Sequence, residues 1–254
     1  MEEGSNSLGT STWIQVEESL RGNVKDKAIL PLGSLEQHGP HLPLSTDTII
    51  AEHIAKEVGK SCSDAFLIPP LQLGCSDEHL GFPGTISLRN ETLRNTIMDI
   101  CSGLLASGFR QLFIVNGHGG NRAVLDATIA EMKRSLPGIQ VYSFTTLDIA
   151  KQKFDEIRKS EKRLVGHADE LETSMMLAIN PESVNMDTAV REEPLLPQPL
   201  SLEKEDRARI SFAWNAKEVT KSGVIGDPLV ASLETGKALL HYTIRTISEI
   251  INGL

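Results

Sequence analysis

The chain has 254 residues, with 34 acidic and 25 basic side chains and a net charge of −9. That length suits one large α/β domain over residues 1–254 with a substantial buried core. The acidic balance argues against nucleic acid or anionic membrane as a partner bound through a broad basic face, and leaves a small-molecule or short-peptide substrate as the better fit.

Residues 1–13 are polar and rich in Gly and Ser. They lack the charged start and apolar core of a signal peptide, and no later run approaches transmembrane length, so a cytoplasmic location is expected. Cys62, Cys75 and Cys101 are odd in number and widely spaced, which points to buried, unreactive thiols. Residues 27–33 hold the apolar run Ala28, Ile29, Leu30, Pro31, Leu32, short enough for a buried strand and ended by Gly33. Its end delivers Glu36 and His38. Over 46–58, Ile49, Ile50, Ile54 and Val58 recur near helical spacing, with Ser45 or Thr46 as the cap and Asp47 in the first turn.

A second buried strand is expected over 66–73 despite Pro69 and Pro70, then a polar loop over 74–84 and a short extended piece over 85–88. Residues 90–106 read as a helix, 111–115 as the clearest strand, 121–135 as a helix, 140–145 as a strand and 147–162 as a charged, mostly exposed helix. The alternation predicts a three-layer αβα sandwich around a mostly parallel sheet, with ligands gathered outside the carboxyl ends of its strands. A helix over 167–179 would carry His167, Glu170 and Glu172 in its first turn. Residues 190–205, with Pro194, Pro197 and Pro199, read as a loop serving as a lid or subunit contact, and 228–254 as a final helix.

Chemistry concentrates in two segments that each follow a strand. Glu36 and His38, one residue apart, project to the same side of an extended segment, close to Asp47; Asn116, Gly117, His118, Gly119, Gly120 and Asn121 follow the clearest strand. Imidazole and carboxylate donors suit zinc, manganese or iron, whereas calcium would call for a dense run of oxygen donors. The bland reading of Glu36 and His38 is a solvated loop. The glycine-rich turn could instead cradle phosphate, but Arg122 stands where a dinucleotide fingerprint needs glycine, and the Lys and hydroxyl of a P-loop are missing. Asp77, Glu78 and His79 either line a pocket or lie on the surface. His53 and His241 sit in expected helices without ligand-like neighbours and receive no role.

Taken together these residues resemble the creatininase family, through segments 32–47, 78–85, 115–121, 167–174 and 223–228 in family order. The resemblance implies an αβα sandwich, a homo-oligomer with hexamers common, and one or two divalent metal ions. It implies hydrolysis of a C–N amide-type bond, in a creatinine-like cyclic amide or a formamide, with metal-bound hydroxide as the nucleophile. Carried over position by position, Glu36, His38, Asp47 and His118 match the family's metal ligands, with Asp47 as the bridging carboxylate. Creatinine-cleaving members carry a further ligand Glu two residues after the histidine matching His118, where this chain has Gly120. Glu172 could replace it or act as general acid or base. His167 is the other catalytic candidate, and His41, His79 and Glu78 are candidate substrate contacts. Arg163 stands where creatinine-cleaving members place a tryptophan, which directs the resemblance to the broader family, including deformylases of formylaminopyrimidines and peptidases that trim a cofactor-precursor peptide. A noncatalytic metal- or ligand-binding protein on the same scaffold is the remaining alternative.

Overall fold

The computed structural model describes residues 7–21, 25–161, 165–195 and 214–254. A short helix α1 (Trp13–Leu20), opened by a capping box between Thr12 and Gln15, precedes strand β1 (Lys27–Leu32). There follow α2 (Thr46–Ser61), β2 (Ala65–Leu67), α3 (Asn90–Ser107), β3 (Gln111–Asn116), α4 (Arg122–Ser135), β4 (Gln140–Thr145) and α5 (Thr146–Ile157). The chain ends with α6 (Glu170–Ile179), the single-turn α7 (Ala216–Val219) and the long α8 (Leu233–Gly253).

Among the described residues the four strands run parallel in the order β2-β1-β3-β4. Strand period sorts the core: Ile29, Phe113 and Val115 face one side, and Ala28, Leu30, Leu112 and Ile114 the other. The first side is covered by Ile50 and Ile54 of α2, Phe154 of α5, Met175 of α6 and Ile247 of α8. Leu93 and Ile97 of α3 with Leu125 and Met132 of α4 cover the second. Burial of both faces explains why the central strands read as unbroken apolar runs rather than alternating ones. The arrangement is the expected αβα sandwich. Because β1 leads outward to β2 while β3 leads the opposite way to β4, the strand order reverses between β1 and β3, where a crevice opens beyond the strands' carboxyl ends.

Several boundaries differ from the sequence reading. β2 stops at Leu67 instead of running to residue 73, because Pro69 and Pro70 cannot donate to a ladder; only a single bridge, Leu32 to Leu71, continues the pairing. α6 begins at Glu170, so His167 lies before the helix, in extended backbone paired antiparallel with Ile225. α5 ends at Ile157 and buries Ala150 and Phe154, so it is amphipathic rather than mostly exposed; Lys162, the end of the expected helix, is outside the described residues. The final helix starts at Leu233 after a 3-10 turn, Pro228–Val230. Of the expected loop over 190–205, residues 190–195 are described, without a helix or strand, and 196–205 lie outside the described residues. No helix among the described residues is long and apolar enough to cross a membrane. Cys62, Cys75 and Cys101 are all buried and free, and burial pushes the Cys101 thiol up to about 12.

Two helical glycines separate propensity from packing. A Cβ at Gly59 would meet nothing within 4 Å, whereas one at Gly236 would lie 1.9 Å from the Ser174 carbonyl oxygen, where α8 crosses α6. Helix propensity favours alanine at either position by about 1 kcal/mol, and overpacking costs about 1–3 kcal/mol. Gly59→Ala is therefore expected to raise the urea midpoint and Gly236→Ala to lower it; equal effects would contradict this account of the α6–α8 contact.

Candidate metal centre and its pocket

Two glycines bring the strand ends to the start of α2. A Cβ at Gly33 would lie 2.4 Å from Thr48 Cα, and one at Gly117 would lie 2.3 Å from the Asp47 carbonyl oxygen. Only with hydrogen at these positions can the first turn of α2 sit in the crevice between β1 and β3. Asp47 stands in that turn, where the helix dipole favours negative charge, and accepts a 2.7 Å hydrogen bond from Ser34 Oγ.

Around Asp47 the expected ligands converge. His118 Nδ1 lies 2.9 Å from Asp47 Oδ2 and 3.2 Å from Glu36 Oε2, while His38 Nε2 lies 3.2 Å from Asp47 Oδ1 and 4.0 Å from Glu172 Oε2. The two oxygens of Asp47 thus face two different partner sets. Donor atoms fall within 4.8 Å of one another in three groups: Glu36, Asp47 and His118; His38, Asp47 and Glu172; and Glu36, His38 and His167. All these side chains are buried, and neither carboxylate oxygen of Glu36 has a hydrogen-bond partner. A buried carboxylate so placed fits a cation, and the mixed imidazole and carboxylate set fits zinc or manganese chemistry.

Second contacts aim the rings. His118 Nε2 lies 2.8 Å from the Cys75 carbonyl oxygen and His38 Nδ1 lies 3.2 Å from the Glu36 carbonyl oxygen, which turns the opposite nitrogen of each ring toward the carboxylates. Asn121 ties the segments together, accepting from Cys75 N and donating to the Gly33 carbonyl and to Asn116 Oδ1. Burial by itself would lower the pKa of His38, but the Asp47 carboxylate beside it raises it to about 10. His118 is likewise held well above the usual imidazole range against burial, chiefly by Glu36. Burial, with Asp47 opposing a further negative charge, lifts Glu172 to about 8 although His38 pulls it down. Protons therefore balance the buried carboxylates in the ion-free protein.

The segment before α6 supplies the remaining groups. Ala168 adopts a left-handed φ of 51°, rare for a residue with a Cβ, and its N–H donates to Glu172 Oε2 at 2.6 Å. Asp169 caps the helix by accepting from the N–H groups of Leu171 and Glu172. Glu170 points elsewhere, accepting from Lys159 N and Ser160 N. His167 Nδ1 stands 4.0 Å and His79 Nε2 3.5 Å from Glu36 Oε1. Burial holds His167 well below the imidazole range and His79 down at about 3, with the charge on His38 adding to both effects.

A cavity of about 380 Å³ opens over the cluster, lined by Glu36, Asp47, Glu78, His79, His118, His167 and Glu172 and walled by Leu147, Pro194, Trp214, Val219 and Ile225. The volume is ordinary for a small-molecule site. Of the expected substrate contacts, Glu78 and His79 reach this wall. His41 does not: it is buried behind the site, with Nε2 2.9 Å from Thr173 Oγ1. Gly120 lines the cavity too, and a Cβ there would lie 2.4 Å from both the Cys75 carbonyl oxygen and His118 Nε2 and 3.0 Å from Glu78 Oε1, so no side chain fits at this position in the present loop. The apolar wall escaped sequence reasoning. Leu147, Val219 and Ile225 look like core residues in any periodicity reading, and Trp214 stands in no motif.

The Creatininase family, described as creatinine amidohydrolase, matches residues 9–251. A mycofactocin precursor peptide peptidase of Mycolicibacterium smegmatis is 32% identical over 252 residues, covering 97% of this chain and 87% of the relative. The creatinine amidohydrolase of Pseudomonas putida is 28% identical, over 96% of this chain and 95% of its own length. A solved structure described as "Creatininase Mn" superposes with a TM-score of 0.82 at 27% identity, covering 98% of both chains. With one family matched across nearly its whole length, its sandwich shared with a solved member and its donor cluster at the sheet's switch point, this chain belongs to the creatininase family.

Proposed function

We propose that this chain is a metal-dependent amidohydrolase whose buried cluster holds two divalent ions, one by Glu36, Asp47 and His118 and the other by His38, Asp47 and Glu172. The observation that carries the reading is the pairing of each Asp47 oxygen with a different imidazole, at 2.9 and 3.2 Å. Glu172 supplies the carboxylate that Gly120 cannot. Its position in the set with His38 and Asp47 favours the ligand role over that of acid or base. Zinc and manganese both suit these donors.

When bound, such ions lower the pKa of water to about 7 and polarise a carbonyl, the requirements for opening an amide. The chain's own groups do the rest. His167, neutral because of its burial, accepts a proton at Nδ1 from the attacking water and returns it to the departing nitrogen, a service worth about a hundredfold or more. Glu78 and His79 contact the substrate at the cavity wall. The expected substrate is a small cyclic amide or a formamide. The 32% identity to a precursor-peptide peptidase favours short peptides as the second reading, and the apolar wall around Trp214 would accommodate a peptide side chain. The family resemblance further supports a homo-oligomer.

Metal-loaded protein is expected to hydrolyse creatinine or a formylated aminopyrimidine, to lose activity with EDTA and to regain it with zinc or manganese. Glu36→Gln should abolish turnover while circular dichroism stays unchanged. Turnover of peptides alone would move the assignment to the second reading, and full activity in Glu36→Gln would end both.

Ion binding must also depend on pH. Glu172, raised to about 8, and His38, raised to about 10, hold protons at neutrality that a cation has to displace. A raised pKa means that proton competition weakens as pH rises, so affinity should climb between about pH 6 and pH 8, by about tenfold per pH unit for each proton displaced. Calorimetry in buffers of different ionisation enthalpy should record net proton release. A flat affinity with no release would contradict the assignment.

A further inference from the structure

We infer that Gln37, through its side-chain amide and its own carbonyl oxygen, fixes the neighbouring rings of His79 and His167 in the same Nε2–H tautomer but with opposite edges turned to the pocket, so that the substrate meets one imidazole donor and one imidazole acceptor side by side. Gln37 is buried between the two metal-ligand positions of its loop. Backbone groups decide which end of its amide is which: Oε1 accepts from Gly39 N at 3.0 Å, and Nε2 donates to the Gly223 carbonyl oxygen at 3.1 Å. The second amide hydrogen then points at His79 Nδ1, 2.9 Å away. An amide N–H can only donate, so Nδ1 of His79 carries the lone pair and Nε2 carries the hydrogen.

The backbone of the same residue sets the other ring. The Gln37 carbonyl oxygen lies 2.7 Å from His167 Nε2, and a carbonyl can only accept, so Nε2 of His167 is protonated and, in the neutral ring, Nδ1 is bare. The rings stack with centroids 4.3 Å apart and an interplanar angle of 28°. The free edges, His79 Nε2–H and His167 Nδ1, both face Glu36 Oε1, at 3.5 and 4.0 Å.

The consequence for chemistry rests on the hydrolytic reading above. As water adds to the substrate carbonyl, its proton passes to His167 Nδ1, a C–O bond forms, and the carbonyl oxygen that gains the electron pair is met by His79 Nε2–H. The C–N bond then breaks as the proton moves from His167 to the leaving nitrogen. A donor aimed where charge develops, already oriented before reaction, is the arrangement that stabilises such an oxygen most. Gln37 is a positioning residue in this scheme, and His79 a hydrogen-bond donor rather than a base. Gly223 belongs to the same device: its φ is +89°, and a Cβ there would lie 1.8 Å from Gln37 Oε1, so the side chain of Gln37 reaches its place only past a glycine.

Long-range proton–nitrogen NMR of the full-length, zinc-loaded protein tests this without any substrate, because imidazole nitrogens with and without hydrogen resonate far apart. Signals are assigned with His79→Gln and His167→Gln. The expected pattern is His79 with hydrogen on Nε2 only and His167 with hydrogen on Nε2 only. Hydrogen on Nδ1 of either ring, or on both nitrogens of either, overturns the proposal. In Gln37→Met the His79 Nδ1 signal should shift toward the protonated position while His167, held by the retained carbonyl, stays put; loss of control over both rings, or over neither, also overturns it. If that variant does not fold, the wild-type spectrum alone decides. The outcome is independent of turnover, so failure here and failure of the hydrolase assignment are distinguishable.

Discussion

The buried carboxylate of Glu36 governs this structure. Its two oxygens have no hydrogen-bond partner, and burying such a group away from water is costly unless positive charge stands beside it. His118, raised well above its ordinary pKa, supplies that charge as a proton beside Glu36, and His38 does so beside Asp47. A divalent cation meets the same demand with more charge. The structural economy is that one requirement, neutralising a cluster of buried acids, both specifies the site and links it to pH.

The fold meets this requirement at a single place. The reversal of strand order between β1 and β3 opens a crevice, and the bare backbones of Gly33 and Gly117 let α2 drop its first turn into it. Asp47 arrives there with the dipole of α2 behind it, while β1 and β3 deliver Glu36, His38 and His118 from either side. The left-handed Ala168 reverses the chain just ahead of α6, which turns His167 and Glu172 into the same space. Asn121, bonded to Cys75, Gly33 and Asn116, holds the loops in register, so the orientation of His118 depends on a residue that touches no carboxylate of the cluster.

Where the physics is local, the sequence was readable. β1, α2 and β3 were legible because buried parallel strands and amphipathic helices leave period and composition behind, and the candidate donors Glu36, His38, Asp47 and His118 stood out by their place after two strands together with the family resemblance. His167 was misplaced by one structural context: the apolar spacing of α6 extends backward through Leu171, but the capping geometry of Asp169 and the bridge from His167 to Ile225 begin the helix three residues later. β2 was overestimated because apolar side chains conceal the donors that Pro69 and Pro70 lack. The pocket wall and the role of Gln37 were not legible, since Trp214 and Gly223 reach the site from distant segments and the function of an amide depends on which backbone groups fix its orientation. Gly120 was the most informative departure: its significance lay in the missing side chain, and the structure supplies the cause in the close approach of Cys75, His118 and Glu78.

The central claim is that Asp47 joins two ion sites, the second of which depends on Glu172. Elemental analysis of ions bound per chain, on wild-type protein and Glu172→Gln equilibrated with zinc and freed of excess, tests it most directly. The account predicts two ions in the wild type and one in the variant, whose Glu36, Asp47 and His118 set is intact. An unchanged metal content with activity lost would contradict it and return Glu172 to the role of acid or base.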